Sequence, residues 1–404
     1  MEDLIRYSQR QLQLSIQKSE RFALEKIKKL LPKHPCILIK GLRGSGKTTL
    51  LRSLHSQHSL MVSGDFLRIK NISWEDVYKT AEKMNAHYIL IDEIHHLQDW
   101  KLSLKVLCDW AGKEKAIIAT GSSALSLEKA GDIKRRSEVI PLGGLSYAEF
   151  LAHVGIKLPS NIPSSIYQAL FASQNLEESY HRLWKILSQL PLDQIYKHFP
   201  SFKEQPLPAL YEAVDREERM RAIIYSVIEE DIPTLVPKME VRTLLKAKEI
   251  LHYLAISEKI SINKLANLSS LSKESVVKLL NLLEAGGILR RVPSGGKNVL
   301  KDQFKYLFTT PLMRRALSYG TTDPGFERED LFAKIIASWN LPFSYHYPQS
   351  QRYDFKVGNL RFEIGDRSKR PPSHTITVLE GGPLSFSQGR LTIPLELLAL
   401  MERV

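Results

Sequence analysis

The stretch Cys36-Ile37-Leu38-Ile39-Lys40-Gly41-Leu42-Arg43-Gly44-Ser45-Gly46-Lys47-Thr48-Thr49-Leu50-Leu51 decides the reading of this chain. A short apolar run comes first. A turn with the spacing G-x-x-x-x-G-K-[ST] follows, and the helical segment Thr48–Ser56 comes after it. Strand, Gly-rich loop and helix in that order form a phosphate cradle. The glycines let backbone N–H groups turn inward around phosphate oxygens, and the helix N-terminus adds a favourable dipole. In such a cradle Gly41, Arg43, Gly44, Ser45, Gly46 and Thr49 line the phosphates. Lys47 reaches the β- and γ-phosphates, and Thr48 holds Mg²⁺.

Two further apolar runs share the character of the first. Tyr88-Ile89-Leu90-Ile91 ends in Asp92-Glu93, and Ala116-Ile117-Ile118-Ala119 ends in Thr120-Gly121-Ser122-Ser123. Short continuous apolar runs are what strands buried on both faces of a parallel sheet look like. Helical segments near 74–84 and 101–112 separate them, which predicts an α/β doubly wound domain over 34–150. Paired with the cradle, Asp92 is placed to orient Mg²⁺ and Glu93 to polarise an attacking water.

Outward from this domain the pattern changes. Residues 1–33 read as a helix broken once and stopped at Pro32. Residues 151–240 lose the strand signal and read as a helical lid or connector punctuated by prolines. Residues 241–320 read as a winged helix-turn-helix. Its helices are Leu244–Ile256, Ser261–Leu268 and Leu271–Glu284, the last with Ser272 as N-cap and Gly286-Gly287 as stop. Runs at 288–292 and 304–308 flank a Ser-Gly-Gly turn. Residues 321–404 return to short mixed α/β segments.

The chain has 404 residues, 43% of them hydrophobic and 25% charged, so it is neither a disordered nor a low-complexity chain. No apolar run approaches the roughly 20 residues of a membrane helix, and no secretory signal is readable. The two cysteines, Cys36 and Cys108, match no metal-ligand spacing. A cytoplasmic protein with reduced thiols is the expectation. The net charge is +13, of which residues 241–320 hold +9 and residues 1–40 hold +5. Focused basic charge points to nucleic acid. On the helix after Ser272, Lys273, Ser275 and Lys278 are left for the outer face, where a major groove would meet them. Arg290, Arg291, Lys297, Lys301 and Lys305 lie in or near the hairpin, within reach of phosphates.

Taken together, the cradle, Asp92-Glu93 and the polar strand end at Thr120-Gly121-Ser122-Ser123 resemble AAA+ ATPases. With the stretch from Asp92 to Trp100, and Arg136 ahead of Pro141-Leu142-Gly143-Gly144-Leu145-Ser146-Tyr147-Ala148-Glu149-Phe150, the chain is similar to a prokaryotic AAA+ group. In that group a winged helix and a restriction-nuclease-like domain follow the ATPase module. Glu230-Asp231-Ile232 is a weaker point of likeness. The resemblance implies ATP as nucleotide and Thr120 or Ser122 as the sensor of the γ-phosphate. It also implies a nucleotide role for Arg136, either as a finger acting on a neighbouring subunit of a homo-oligomer or as a sensor within its own.

The C-terminal region resembles a degenerate nuclease-like fold built on Glu327 or Glu329, Asp354 and Glu363. The position two residues after Glu363, where the family pattern places Lys, is Gly365. Adjacent His95 and His96 read as a solvated loop rather than a metal site, and Trp100 as packing at a helix start. The function expected is a Mg²⁺-dependent ATPase coupled to DNA binding or remodelling. The rival is a slow ATP-dependent switch that works through a protein partner.

Overall fold

The computed structural model describes residues 1–14, 21–97, 99–112, 114–122, 137–236, 241–257, 260–295, 304–346, 353–365 and 373–403. Arg136, Lys297 and Lys301 lie outside the described residues.

Five strands form the first sheet: β1 (Cys36–Gly41), β2 (Ser59–Ser63), β3 (Tyr88–Asp92), β4 (Ala116–Ser122) and β5 (Glu138–Leu142). Their order is β2-β3-β4-β1-β5, and every pairing is parallel. Side chains of successive strand residues point to opposite faces, so each run feeds two cores. Leu38, Ile89, Ile91, Ile117 and Ala119 pack on one face with Leu104 and Leu107 of the helix Trp100–Ala111. Ile37, Ile39, Leu90 and Ile118 pack on the other with Leu50 and Leu51 of the helix Lys47–Ser53. The two N-terminal helices divide likewise, Leu4 of Glu2–Gln13 joining the first core and Ile27 of Ala23–Leu30 the second.

The sequence pattern picked out β1, β3 and β4. Strand β2 is five residues bounded by serines, and β5 carries Pro141. Proline removes a ladder donor and is tolerated on a sheet edge, which is where β5 lies. The thiols expected to be reduced are paired instead: Cys36 and Cys108 form a disulfide with Cα atoms 6.1 Å apart. Both face the same core, on the side of the sheet that the helix 100–111 covers.

Beyond β5 the packing groups residues differently from the expected divisions at 150, 240 and 320. One core joins Leu207, Leu210 and the segment 220–232 to the helices Val241–Ile256, Ile262–Ser269, Lys273–Ala285 and Pro311–Ser318. Leu42 of the Gly-rich loop belongs to this core as well. The other joins helices between Tyr147 and Glu204 to the C-terminal sheet and the helix Pro324–Ala337.

Three helices and a pair of antiparallel strands occur in the expected order, with Ser272 capping the helix 273–285. The hairpin strands β6 (Leu289–Gly295) and β7 (Phe304–Phe308) do not stand apart, however. They end an eight-stranded sheet with β8 (Phe343–His346), β9 (Phe355–Val357), β10 (Leu360–Gly365), β11 (Ile376–Leu379), β12 (Ser385–Ser387) and β13 (Arg390–Pro394). The order is β12-β13-β11-β10-β9-β8-β6-β7, with β6 joined in parallel to β8 at Ser294–Tyr345 and Gly295–His346. A Cβ at Gly295 would come within 2.6 Å of Ser344 Oγ, so glycine permits this close approach. Among the described residues no helix is long and apolar enough to cross a membrane.

Candidate functional site

Strands β1, β3 and β4 bring their C-terminal ends together, and β4 lies between the other two. Polar residues remote in sequence therefore converge at one edge of the sheet, where parallel α/β sheets open their crevice. The loop after β1 has Gly44 at φ +77° and Gly46 at φ +88°, left-handed conformations that favour glycine. Gly46 is the N-cap of the helix that opens at Lys47. At Gly41 a Cβ would come 2.2 Å from Leu142 O, so β5 crowds the start of the loop.

Lys47 is buried, and its Nζ donates to Gly41 O (3.0 Å) and Leu42 O (3.2 Å) of its own loop. Glu93 Oε1 lies 3.9 Å from that Nζ. Ser45 is fully buried and its Oγ makes no hydrogen bond. An inward-facing lysine hydrogen-bonded to the carbonyls of its own loop, beside an orphaned buried hydroxyl, fits a loop that receives phosphate oxygens.

Across the cleft Thr120 Oγ1 donates to Asp92 Oδ1 (2.6 Å) and accepts from Glu93 N (3.0 Å). The Thr48 side chain also lies near enough to Asp92 to favour its charged form. Burial pushes the Asp92 carboxyl above its ordinary range, against the pull of these hydroxyls. A desolvated carboxylate beside a threonine hydroxyl is a hard oxygen pair of the kind Mg²⁺ takes. Glu93 sits at φ +48°, a left-handed backbone uncommon for a non-glycine residue. Gly64, whose Cβ would come 2.5 Å from Glu93 O, makes room for that turn.

Thr120 and Ser122, both candidates for one sensing role in the sequence, sit differently. Thr120 serves Asp92 and Glu93, while Ser122 Oγ donates to Asp231 Oδ2. Asp231 also takes Arg43 Nε (3.0 Å) and Nη2 (2.8 Å), and Glu230 Oε2 lies 2.8 Å from Arg43 Nη1. Arg43, expected to line phosphate, is thus tied to the segment Val227–Asp231 of the neighbouring core. Ala209 and Pro208 of the same core press on the loop, lying 2.8 and 3.5 Å from where Cβ atoms of Gly44 and Gly46 would be.

The cleft has a volume of about 1290 Å³, and its wall away from the phosphate loop includes Arg21, Glu149, His153 and Tyr211. Arg21 had no signal in the sequence. It is buried, donates to Glu149 Oε1 (2.9 Å) and Ser45 O (2.6 Å), and also reaches Gly143 O. Glu149 completes a capping box with Ser146 at the start of the helix Tyr147–His153. That Ser-x-x-Glu spacing was readable, but its second partner was not.

His95, read as part of a solvated loop, is buried with 3% of its side chain exposed, because Ile94–His96 forms a 3₁₀ turn against the sheet. Burial pushes its imidazole down to about 4.

The residues expected at a DNA surface are separated by the fold. Lys273, Lys278 and Arg291 are not buried, although Arg291 lies over the Phe304 ring (4.7 Å) and 3.6 Å from Glu284. Ser275 is engaged in the cap, its N–H and hydroxyl both meeting Ser272 Oγ. Arg290 is turned inward with a buried Nε that has no hydrogen-bond partner, and Lys305 pairs with Glu329 in the interior. The hairpin alternates inward and outward residues, and the helix 324–337 packs against the inward ones. In the C-terminal region Glu327 is held by Arg315, Glu329 by Lys305, and Asp354 Oδ2 accepts Ile364 N.

Residues 33–151 match a family model described as an AAA domain. An ATPase-like AAA domain thus spans the parallel sheet, and nucleotide binding by its P-loop goes with that match. A second model, described as a domain of unknown function (DUF8612), matches residues 207–321. That span coincides with the core that presses on the phosphate loop. Over 363 residues the chain is 29% identical to the uncharacterized protein MJ1637 of Methanocaldococcus jannaschii, covering 84% of this chain and 75% of that one. Among solved structures, the Walker-type ATPase PABY2304 of Pyrococcus abyssi overlaps 75% of this chain and 98% of its own, at 13% identity and a TM-score of 0.40. A variant of RuvB from Thermotoga maritima overlaps 72% and 90%, at 16% identity and a TM-score of 0.27. Both superpositions are too loose to carry a functional argument.

Proposed function

We propose that the chain is a Mg²⁺-dependent ATP hydrolase whose nucleotide state is transmitted to the core of residues 207–317 and, through it, to bound DNA. The observation that carries this reading is the convergence of Lys47, Glu93 and the Thr48–Asp92–Thr120 cluster on one cleft.

In this reading Gly41, Gly44, Ser45, Gly46 and Thr49 cradle the phosphates, and Lys47 leaves its own carbonyls for the β- and γ-phosphate oxygens. Thr48 and Asp92 would hold Mg²⁺, which when bound neutralises phosphate charge. Glu93 orients a water for attack on the γ-phosphorus and takes its proton as the β–γ bridge breaks and ADP leaves. Thr120 fixes the Glu93 backbone and the Asp92 carboxylate together, so it is the better of the two sensor candidates. Ser122, bonded to Asp231, belongs to the coupling path with Arg43. Arg136 keeps its proposed role as a finger or sensor, and a finger would require a homo-oligomer. Lys273, Lys278 and Arg291 support a duplex-binding surface, together with the +13 net charge.

A second reading is favoured by the Arg43–Asp231–Ser122 network: a slow switch in which nucleotide chiefly releases the 207–317 core for a protein partner. Steady-state ATP hydrolysis without DNA, with linear duplex and with a four-way junction, beside Glu93→Gln, separates the two. Salt-sensitive stimulation by one DNA supports the coupled ATPase. Slow turnover indifferent to every DNA supports the switch. Absence of hydrolysis and of ATP binding overturns both.

A further inference from the structure

The turn that follows β3 holds two histidines that ATP hydrolysis does not use. Glu93, His95 and His96 each offer a ligand atom, and these atoms lie within 4.8 Å of one another. Among the described residues this is the one such group of metal-ligating side chains. His95 is buried, and its Nδ1 lies 3.3 Å from Glu93 Oε2, yet it makes no hydrogen bond. A buried ring nitrogen facing a carboxylate oxygen without a shared proton is an unsatisfied arrangement. A cation between them would satisfy both. Two ligands about 2.0–2.1 Å from a tetrahedral ion stand about 3.3–3.4 Å apart, which is the separation found.

His96 completes the set. Its Nδ1 lies 2.8 Å from Asp65 Oδ2, which leaves Nε2 for a metal. A carboxylate behind a ligating imidazole is the usual way such a ring is oriented. Two imidazoles and one carboxylate suit a borderline transition cation far better than Mg²⁺, which prefers oxygen.

We propose that Glu93, His95 and His96, with Asp65 positioning His96, bind a divalent transition cation of the zinc type, and that its binding stops hydrolysis by taking Glu93 away from water. The second half rests on the assignment of Glu93 as the residue that positions water. The site shares no ligand with the Thr48–Asp92 pair, so the two cations do not compete for a side chain.

The test uses the full chain, stripped with chelator and held in excess Mg²⁺ so that oxygen-only sites are filled. Co²⁺ is titrated by visible absorption and then displaced with Zn²⁺. One Co²⁺ per chain with an intense tetrahedral band is expected, displaced by Zn²⁺. His96→Ala and His95→Ala should each weaken binding by about 100-fold or more, and Asp65→Asn by about tenfold. His96 and Asp65 are partly exposed, so their variants serve even if His95→Ala fails to fold. ATP hydrolysis should fall with the midpoint of Zn²⁺ binding in wild type and be spared in His96→Ala, each protein referred to its own metal-free rate. No saturable Co²⁺ binding, or unchanged binding in His96→Ala, overturns the site. Zn²⁺ binding that leaves hydrolysis intact overturns the inhibitory role. A chain that hydrolyses no ATP under any condition counts against the proposed function, and the Co²⁺ titration still decides the metal site.

Discussion

The edge of the parallel sheet and the interior of the C-terminal sheet both gather charged residues, and they treat them in opposite ways. In the C-terminal half three buried charges meet partners of opposite sign, while Arg290 Nε stands buried without a hydrogen-bond partner. Lys305 pairs with Glu329, Arg314 with Asp330 (2.6 Å), and Lys334 with Glu402 (2.9 Å). Asp330 also accepts Phe308 N, which ties the helix 324–337 to β7. At the nucleotide end Arg21 is paired with Glu149, but the groups facing the phosphate loop are left incomplete. Lys47 rests on the carbonyls of its own loop, Ser45 Oγ and His95 Nδ1 have no hydrogen-bond partner, and Glu93 stands between Lys47 and His95. Burying polar groups without satisfying them costs stability, so the first arrangement holds a fold and the second is kept for a ligand.

This contrast is most open to attack at the loop lysine. Lys47→Ala should abolish measurable ATP binding by calorimetry, a loss of at least about 100-fold, while the melting temperature stays near wild type. Retained affinity would remove the phosphate-loop assignment. Glu93→Gln should bind ATP with little change and lose about 10²–10⁴ in turnover, read by single-turnover hydrolysis. Wild-type turnover would reject Glu93 as the residue that positions water.

In the C-terminal half the outcome should be structural. Glu329→Ala leaves Lys305 buried without its partner and should cost about 3–5 kcal/mol in denaturant unfolding. Replacing both, Lys305→Met with Glu329→Leu, should recover most of that loss with hydrolysis unaffected. Failure of the double variant to recover would mean that the pair does more than hold the fold.

Asp231→Ala tests the boundary between the two regions, since it removes the acceptor for Arg43 and Ser122. A loss of about 1.5–3 kcal/mol is expected, the range for hydrogen bonds to a charged group. The ATP hydrolysis rate should shift as well. Unchanged kinetics would detach the 207–317 core from the nucleotide cycle.

The smallest effect concerns pH. His55 contacts Ser8 O (2.9 Å) and Ser59 Oγ (2.6 Å), joining the helix 2–13 to the edge strand β2. Burial holds its imidazole below the ordinary histidine value. A depressed folded value means that the unfolded chain takes the proton first. This contribution is therefore full above about pH 6.5 and is lost as pH falls below it. His55→Gln should flatten the acid side of the stability profile, measured by urea unfolding between neutral and mildly acid pH. An unaltered slope would assign the acid sensitivity to other groups.

Sequence determined what depends on neighbours along the chain. The Gly-rich loop after a buried run, the Asp92-Glu93 strand end and the Ser272 cap are local patterns, because backbone conformation and phosphate binding there need only a few adjacent residues. Tertiary structure decided what depends on residues that meet from afar. The edge position that tolerates Pro141 in β5 and the meeting of Cys36 with Cys108 are set by which elements the packing brings together. So are the tie between Arg21, Glu149 and Ser45, and the capture of Arg43 by Asp231. The hairpin β6–β7 shows the limit most clearly. Its two strands were legible, but the pairing of Ser294 and Gly295 with β8 spans some fifty residues and leaves only the absence of a side chain at Gly295 as its trace. Lys305 faces inward because the helix 324–337 packs on that face of the hairpin and brings Glu329 to it, and which face a remote helix covers cannot be read from the strand's own sequence.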